Sequence, residues 1–311
     1  MKPTHASTIS KHSHQIVVDR LTVCFSDENS EHVEVTCGLL LSDKYTKGIP
    51  GLKMTKNARY KVSAQFLLPL SGGGPTHPVY FEAGPHQPGI SSYRLDFNPS
   101  KLSSDGWTDL IALLNSIIDA DPAEFFSYGR VTRIDAAIDM PGQILDDLIV
   151  LHRGKKKHGV YSDQFGTPET VYLGTPRSNR VVTYTKKIAG AWGLRIECRV
   201  KPKCLGKELV SLSNPFRKVQ LLSVDAFNAL LPGTPAQVLA DTIRLRGTKA
   251  ALHLFPSAER KIIEKAIASA AAEIPDMTEM WAAWPNALSA AGLSKLLAFP
   301  QLPKPSLSEA A

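Results

Sequence analysis

The chain has little that could anchor, cross-link or ligate it. Its four cysteines, Cys24, Cys37, Cys198 and Cys204, form no CxxC pair and have no histidine at zinc spacing. That argues against a zinc finger or a disulfide framework and leaves reduced, partly buried thiols. No apolar run reaches membrane-spanning length. The segment Met1–His14 is polar and lacks the apolar core of a signal peptide. A cytoplasmic protein without a membrane partner is therefore expected. HExxH, Walker, GxGxxG and GxSxG patterns are all missing, which removes the usual zinc-protease, nucleotide-binding and serine-hydrolase signatures. His12-Ser13-His14 stands in the polar tail with no strand to support it, and reads as part of that tail.

What is present is positive charge in one place. The formal net charge is +7 over 311 residues. Residues 129–207 hold 15 Lys or Arg against 7 Asp or Glu, and the rest of the chain 21 against 22. The whole basic excess thus lies in one stretch, which suits a polyanionic partner, nucleic acid first.

Short strands are expected at Gln15–Phe25, Val33–Leu41, Lys61–Leu68, Pro78–Glu82 and Tyr93–Phe97, with a loop at Ser71–Pro75. A helix should run from Asp105 to Ile118 and a second from Ile144 to Leu151. Beyond Pro202 the strand signals stop. Helical pieces follow at Lys218–Leu230, Pro235–Arg244, Ser257–Ala272 and Thr278–Leu297, then a Pro- and Ser-rich tail, Pro300–Ala311. Val79-Tyr80-Phe81 with Tyr93-Arg94-Leu95-Asp96 echoes Val171-Tyr172-Leu173 with Leu194-Arg195-Ile196-Glu197, as two related halves would. The fold class read from this is α+β: antiparallel or mixed sheets with helices on one face, and a C-terminal helical region. The boundaries expected are a tail at 1–14, an N-terminal α+β half at 15–120, a nicking half at 121–207, a helical region at 208–299 and a frayed end at 300–311.

Three segments in the basic stretch alternate apolar and polar residues, as half-buried strands do: Val131–Met140, Arg180–Lys187 and Leu194–Lys201. Residues two apart share a face. One face therefore collects Arg133, Asp135 and Asp139, then Arg180, Tyr184 and Lys186, then Arg195, Glu197, Arg199 and Lys201. If the strands are neighbours, carboxylates, a tyrosine and bases share a surface.

Carboxylates so placed repel one another unless cations compensate. Oxygen donors suit Mg²⁺ or Mn²⁺, which polarise phosphoryl oxygens. Asp135 and Glu197 are the stronger ligands; Asp139, two pleats from Asp135, stands further out. The competing reading is a structural lattice in which each acid pairs with Arg133, Arg195 or Arg199. Tyr184 is the candidate nucleophile, with Lys186 on the same face to favour its phenolate, and Tyr172 and Tyr161 are its rivals. Lys155, Lys156 and Lys157 with Arg153, and the loop Gly174–Arg180 with Arg177 and Arg180, are candidate phosphate grips. For the triple lysine a solvated charge run is nearly as good an account.

The ordered series Arg133-x-Asp135-x-x-x-Asp139, Tyr172-Leu173-Gly174-x-x-x-Ser178, Tyr184-x-Lys186 and Arg195-x-Glu197 resembles the replication initiation factor family, initiators of filamentous phages, small rolling-circle plasmids and some integrative elements. Arg94–Leu102 resembles a stretch of the phage-type members, so the likeness spans roughly residues 60–205. It implies nicking of one origin DNA strand, with the tyrosine joined to the 5′ phosphate and a 3′ hydroxyl freed for a polymerase. Carried over, the nucleophile is Tyr184, Lys186 assists it, and the acidic positions are Asp135 and Glu197, with Asp139 after them. Arg133, Lys155, Lys156, Lys157, Arg177, Arg180, Lys187, Arg195 and Arg199 would contact DNA. Thr185 stands where members often have an acid, and Leu194 where a polar residue is usual. Expected partners are origin DNA, a host helicase and a polymerase, with homodimerisation through the C-terminal helices as one option. A relaxase would use the same chemistry. A non-catalytic DNA-binding replication regulator and an ordinary metal nuclease are the rivals.

Overall fold

A computed structural model of the chain describes residues 14–47, 49, 51–70, 76–118, 120–155, 157–164, 168–231, 236–270, 276–294 and 296–297. The expected loop Ser71–Pro75, Lys156, most of the N-terminal tail and the tail after Pro300 lie outside the described residues. In chain order the elements are β1 (Gln15–Phe25), α1 (Ser30–Leu41), α2 (Asp43–Thr46), β2 (Lys53–Met54), β3 (Tyr60–Leu68), β4 (His77–Pro85), β5 (Tyr93–Phe97), α3 (Ser104–Ile117) and α4 (Pro122–Tyr128). Then come β6 (Arg130–Pro141), β7 (Leu148–His152), β8 (His158–Ser162), β9 (Pro168–Leu173), β10 (Arg180–Ile188), β11 (Ala191–Val200) and β12 (Val219–Ser223). Helices α5 (Val224–Leu230), α6 (Ala236–Arg246), α7 (Thr248–Leu252), α8 (Ser257–Ala270), α9 (Met277–Trp281) and α10 (Trp284–Ala290) complete the chain. The fold is α+β, with extensive antiparallel sheet and a helix-rich C-terminal stretch.

The chain divides into two compact units, each assembled from separated segments. One, from residues 22–132, 203–212 and 288–297, is the Arg94 unit; the other, from 14–21, 133–202 and 213–287, is the Tyr184 unit. In the Arg94 unit the strand order is β2-β3-β4-β5-β1. Val62, Ala64, Phe66, Phe81, Leu95 and Phe97 are buried, and the rings of Phe97, Trp107 and Phe126 meet edge to face. Arg94 on β5 pairs with Glu82 at 2.8 Å and with Asp96.

In the Tyr184 unit the order is β1-β6-β11-β10-β9-β8, with β7 and β12 as a separate antiparallel pair. The C-terminal helices share a core with that pair: Ile149 and Leu222 are buried with Phe227, Leu239, Ile243, Leu252 and Ile263. Arg244 on α6 ties the two together, donating from Nη2 to the carbonyls of Leu145, Asp146 and Leu148.

The two units repeat a connectivity. In each, three consecutive strands form a meander whose last strand carries the arginine: β3-β4-β5 with Arg94, and β9-β10-β11 with Arg195. The register pairs β4 with β10, where the sequence echo had matched β4 with β9. Glu82 stands opposite Arg94, and Tyr184 stands opposite Arg195. One unit thus has a carboxylate where the other has a phenol.

Several elements differ from the expected ones. Val33–Leu41, expected as a strand, is the helix α1: Asn29 caps it by accepting from Glu31 N, and Val33, Thr36, Cys37 and Leu40 are buried at helical spacing. Ile144–Leu151, expected as a helix, is a 3₁₀ turn at Leu145–Asp147 followed by β7. Its continuous run Leu148–Leu151 suits a strand buried on both faces. Strands do not end at Pro202, because Val219–Ser223 pairs with β7 before Ser223 caps α5. Thr278–Leu297 is broken into α9 and α10, with Pro285 in the first turn of the latter.

Candidate functional site

Strands β6, β11 and β10 are antiparallel neighbours. Their common apolar face buries Ile134, Ile138, Met140, Ile196, Cys198 and Val181, and alternation sends the charged residues to the other face. Register fixes who meets whom. Tyr184 lies opposite Arg195, which lies opposite Asp139. Arg180 lies opposite Arg199, which lies opposite Asp135, and Glu197 falls between these rows. Tyr184, Asp135, Asp139 and Glu197 thus share one face, with Asp135 and Asp139 four residues apart along β6.

The face is tightly paired. Asp135 is 2% exposed, Asp139 5%, Arg195 6% and Glu197 8%. Arg195 donates from Nε to Asp139 Oδ1 at 2.6 Å and from Nη2 to Oδ2 at 2.7 Å, and its Nη1 donates to Asp19 Oδ1 at 2.6 Å. Burial disfavours the Arg195 charge, but Asp139 and Asp19 outweigh it and raise its pKa. Arg133 forks onto Asp135, donating from Nε at 2.9 Å and also from Nη2. Arg199 lies 3.6 Å from Asp135 and 3.9 Å from Glu197. For Asp135 and Asp139 this is the arginine–carboxylate lattice that was the alternative to a metal site.

Glu197 departs from that pattern. Burial first, and then the adjoining Asp135 carboxylate, push its pKa up to about 7. Burial also pushes the half-buried Tyr184 phenol up to about 12, although Arg195 opposes the shift. Burial raises all four cysteine thiols, which disfavours the reactive thiolate.

Glu197 is the oxygen donor on this face best placed for a hard divalent cation: its arginine neighbour, Arg199, is 3.9 Å away, and a cation would relieve its repulsion with the adjoining Asp135. Asp135 and Asp139 as paired here do not fit, since Arg133 engages both oxygens of the one and Arg195 both oxygens of the other. Among the described residues no group of three or more His, Cys, Asp or Glu side chains is placed to hold a metal.

The expected DNA contacts separate into groups. Arg195 is buried and engaged by two carboxylates, so it is a positioning residue and not a phosphate grip. Arg133 and Arg199 are carboxylate-paired and keep part of their surface. Lys155 Nζ donates to the Asn179 carbonyl, tying the β7–β8 turn to the β9–β10 turn. Arg177 and Lys157 are exposed at the same corner, and Lys201 Nζ donates to the Arg177 carbonyl at 3.0 Å. The Arg180 guanidinium lies 3.8 Å over the Tyr172 ring. Lys186 shares the Tyr184 face. Lys187 does not: it alternates to the far side, 5.7 Å over Trp192. Asp19 was missed, though an Asp-Arg pair inside the apolar strand Ile16–Val23 was a signal.

Arg195→Leu is expected to cost about 3–5 kcal/mol in urea unfolding, because it leaves Asp139 charged, buried and unpaired. Arg195→Leu combined with Asp139→Leu should recover most of that loss.

No family model matches the chain, and no curated protein matches it. Among solved structures, the di-domain ARO/CYC StfQ from the steffimycin biosynthetic pathway aligns at 11% identity over 84% of this chain and 99% of that one. Its TM-score is 0.15, too low to bear on fold or function. Among the described residues no helix is long and apolar enough to cross a membrane.

Proposed function

We propose that this chain is a cytoplasmic DNA strand transferase that starts rolling-circle replication by nicking one strand at an origin. The observation that carries the reading is the position of Tyr184 directly opposite Arg195 and diagonal to Glu197, on the face that also holds Asp135. A phenol, two adjoining acids and a fixed guanidinium on one rigid sheet are the groups that phosphoryl transfer to tyrosine requires.

In the proposed reaction Tyr184 Oη attacks the scissile phosphorus. A phenol–phosphorus bond forms and the bond from phosphorus to the 3′ oxygen breaks. The proton lost by the phenol is balanced by the one gained at the 3′ oxygen, which leaves as a hydroxyl. The 5′ phosphate stays on Tyr184, and reversal rejoins the strand. Arg195, fixed by Asp139 and Asp19, faces the phenol oxygen with a permanent positive charge and steadies it as it loses its proton. Lys186, on the same face, assists at the phosphate. Glu197 would offer an oxygen to Mg²⁺ or Mn²⁺, which when bound supplies charge neutralisation at the phosphoryl oxygens, while Arg133 holds Asp135 out of that role. Arg177, Lys157 and Arg180 would grip flanking phosphates. A host helicase and polymerase would act on the freed end, and a conjugative relaxase would share every step.

A second reading is favoured by two observations. The buried arginine–carboxylate pairs and the high phenol pKa suit a sheet that binds DNA without cutting it. Incubating the protein with a supercoiled origin plasmid and Mg²⁺ or Mn²⁺, then running a denaturing gel, separates the two. Nicked plasmid with protein joined to the 5′ end supports the transferase. Salt-sensitive binding with intact plasmid supports the regulator.

A further inference from the structure

Tyr161 is 64% exposed on β8, at the edge of the sheet. An exposed tyrosine on an edge strand is unremarkable alone. Its surroundings change that. The Tyr161 and Tyr172 rings meet at 5.4 Å and 79°, and Arg180 covers Tyr172 at 3.8 Å. The Arg180 Nε makes no hydrogen bond, so stacking on the ring orients this guanidinium. The result is one exposed ring, Tyr161, set edge to face against a second, partly buried ring that a planar cation covers.

Register relates the exposed ring to the phenol. Tyr161 lies opposite Thr170, Thr170 opposite Tyr184, and Tyr184 opposite Arg195. All four therefore share one face in one row across the sheet. Two strand spacings, about 10 Å, separate Tyr161 from Tyr184. Lys157, Arg177 and Lys201 stand at the adjoining corner of the same unit, and Glu169 falls at the register shift between β8 and β9.

We infer that Tyr161, Tyr172 and Arg180 form a stacking platform for unpaired bases of single-stranded DNA, which leads the strand to Tyr184. The inference rests on the strand-transferase reading for what happens at Tyr184, but base binding is measured without it. Aromatic faces exposed on a sheet hold unpaired bases with little sequence preference, and a cationic border tracks the backbone. Paired bases present no free faces, so duplex DNA gains nothing from the platform.

The test is fluorescence anisotropy with a labelled 12-nucleotide single strand and its duplex, at fixed salt, for wild type, Tyr161→Leu and Tyr161→Phe. The side chain is exposed, so neither substitution disturbs the fold. Tyr161→Leu is expected to weaken single-strand binding about five- to hundredfold. Tyr161→Phe should stay within about twofold, and duplex binding should not change. Unaltered single-strand binding in Tyr161→Leu overturns the platform, as does an equal loss in Leu and Phe or an equal loss for duplex. The covalent adduct is scored separately. A wild type that forms none, while Tyr161→Leu still loses single-strand affinity, refutes the transferase and leaves the platform standing.

Discussion

Tyr184→Phe is expected to abolish the covalent protein–DNA adduct and to lower strand cleavage by about 10³-fold or more, while single-strand DNA binding stays within about twofold. The magnitude follows from removing the nucleophile itself. The ring that packs beside Arg195 is retained, so the sheet should fold normally. The phenol explains a second property of the wild type. With a pKa of about 12, only about 1 in 10⁴ to 10⁵ hydroxyls is ionised near neutrality. Adduct formation should therefore accelerate as the pH is raised from 6 to 9. Denaturing gels of both proteins across that range check both statements. Persistent cleavage in Tyr184→Phe would point to a metal nuclease. Absence of an adduct from either protein would point to the binding-only reading.

Glu197→Gln is expected to stabilise the protein at pH 8 and to inactivate it. The folded carboxyl is raised from 4.5 to about 7, chiefly by burial and then by Asp135. The folded protein therefore keeps a proton that the unfolded chain releases above 4.5. Stability falls as the pH rises from about 4.5 to about 7 and is level beyond. At 1.36 kcal/mol per pH unit the fall is about 3 kcal/mol. Glutamine has no proton to lose, so the variant should escape it. In EDTA, urea unfolding should show the two proteins nearly equal at pH 4.5 and the variant ahead by about 3 kcal/mol at pH 8. Equal stability at both pH values would mean that the Glu197 carboxyl titrates normally. Loss of nicking in the same variant would separate what the carboxylate contributes to chemistry from what it costs the fold.

The three site strands were legible because alternation survives in them: Ile134, Ile138 and Ile196 face one way, and Asp135, Asp139 and Glu197 the other. The same alternation already placed Lys187 away from Tyr184. Helix α1 was not legible, because Val33, Val35 and Thr36 argue locally for a strand. Its burial at Val33, Thr36, Cys37 and Leu40 and the Asn29 cap decide for a helix. The role of Arg195 was hidden for a different reason. Its partner Asp19 lies 176 residues away in the chain, and only the order β1-β6-β11 brings them together. Sequence could give the polar face but not its pairing. That pairing turns an arginine expected at a phosphate into the clamp opposite the phenol. The short strand β8 carried no distinctive pattern, so Tyr161 read only as a rival nucleophile.

The decisive measurement is the identity of the residue joined to DNA. A wild-type adduct trapped on a single-stranded origin oligonucleotide, digested with nuclease and protease, should yield one modified peptide by mass spectrometry. The nucleotide phosphate is predicted on Tyr184 Oη. A phosphate mapped to Tyr172 or Tyr161, or strand cleavage with no modified tyrosine at all, would contradict the account.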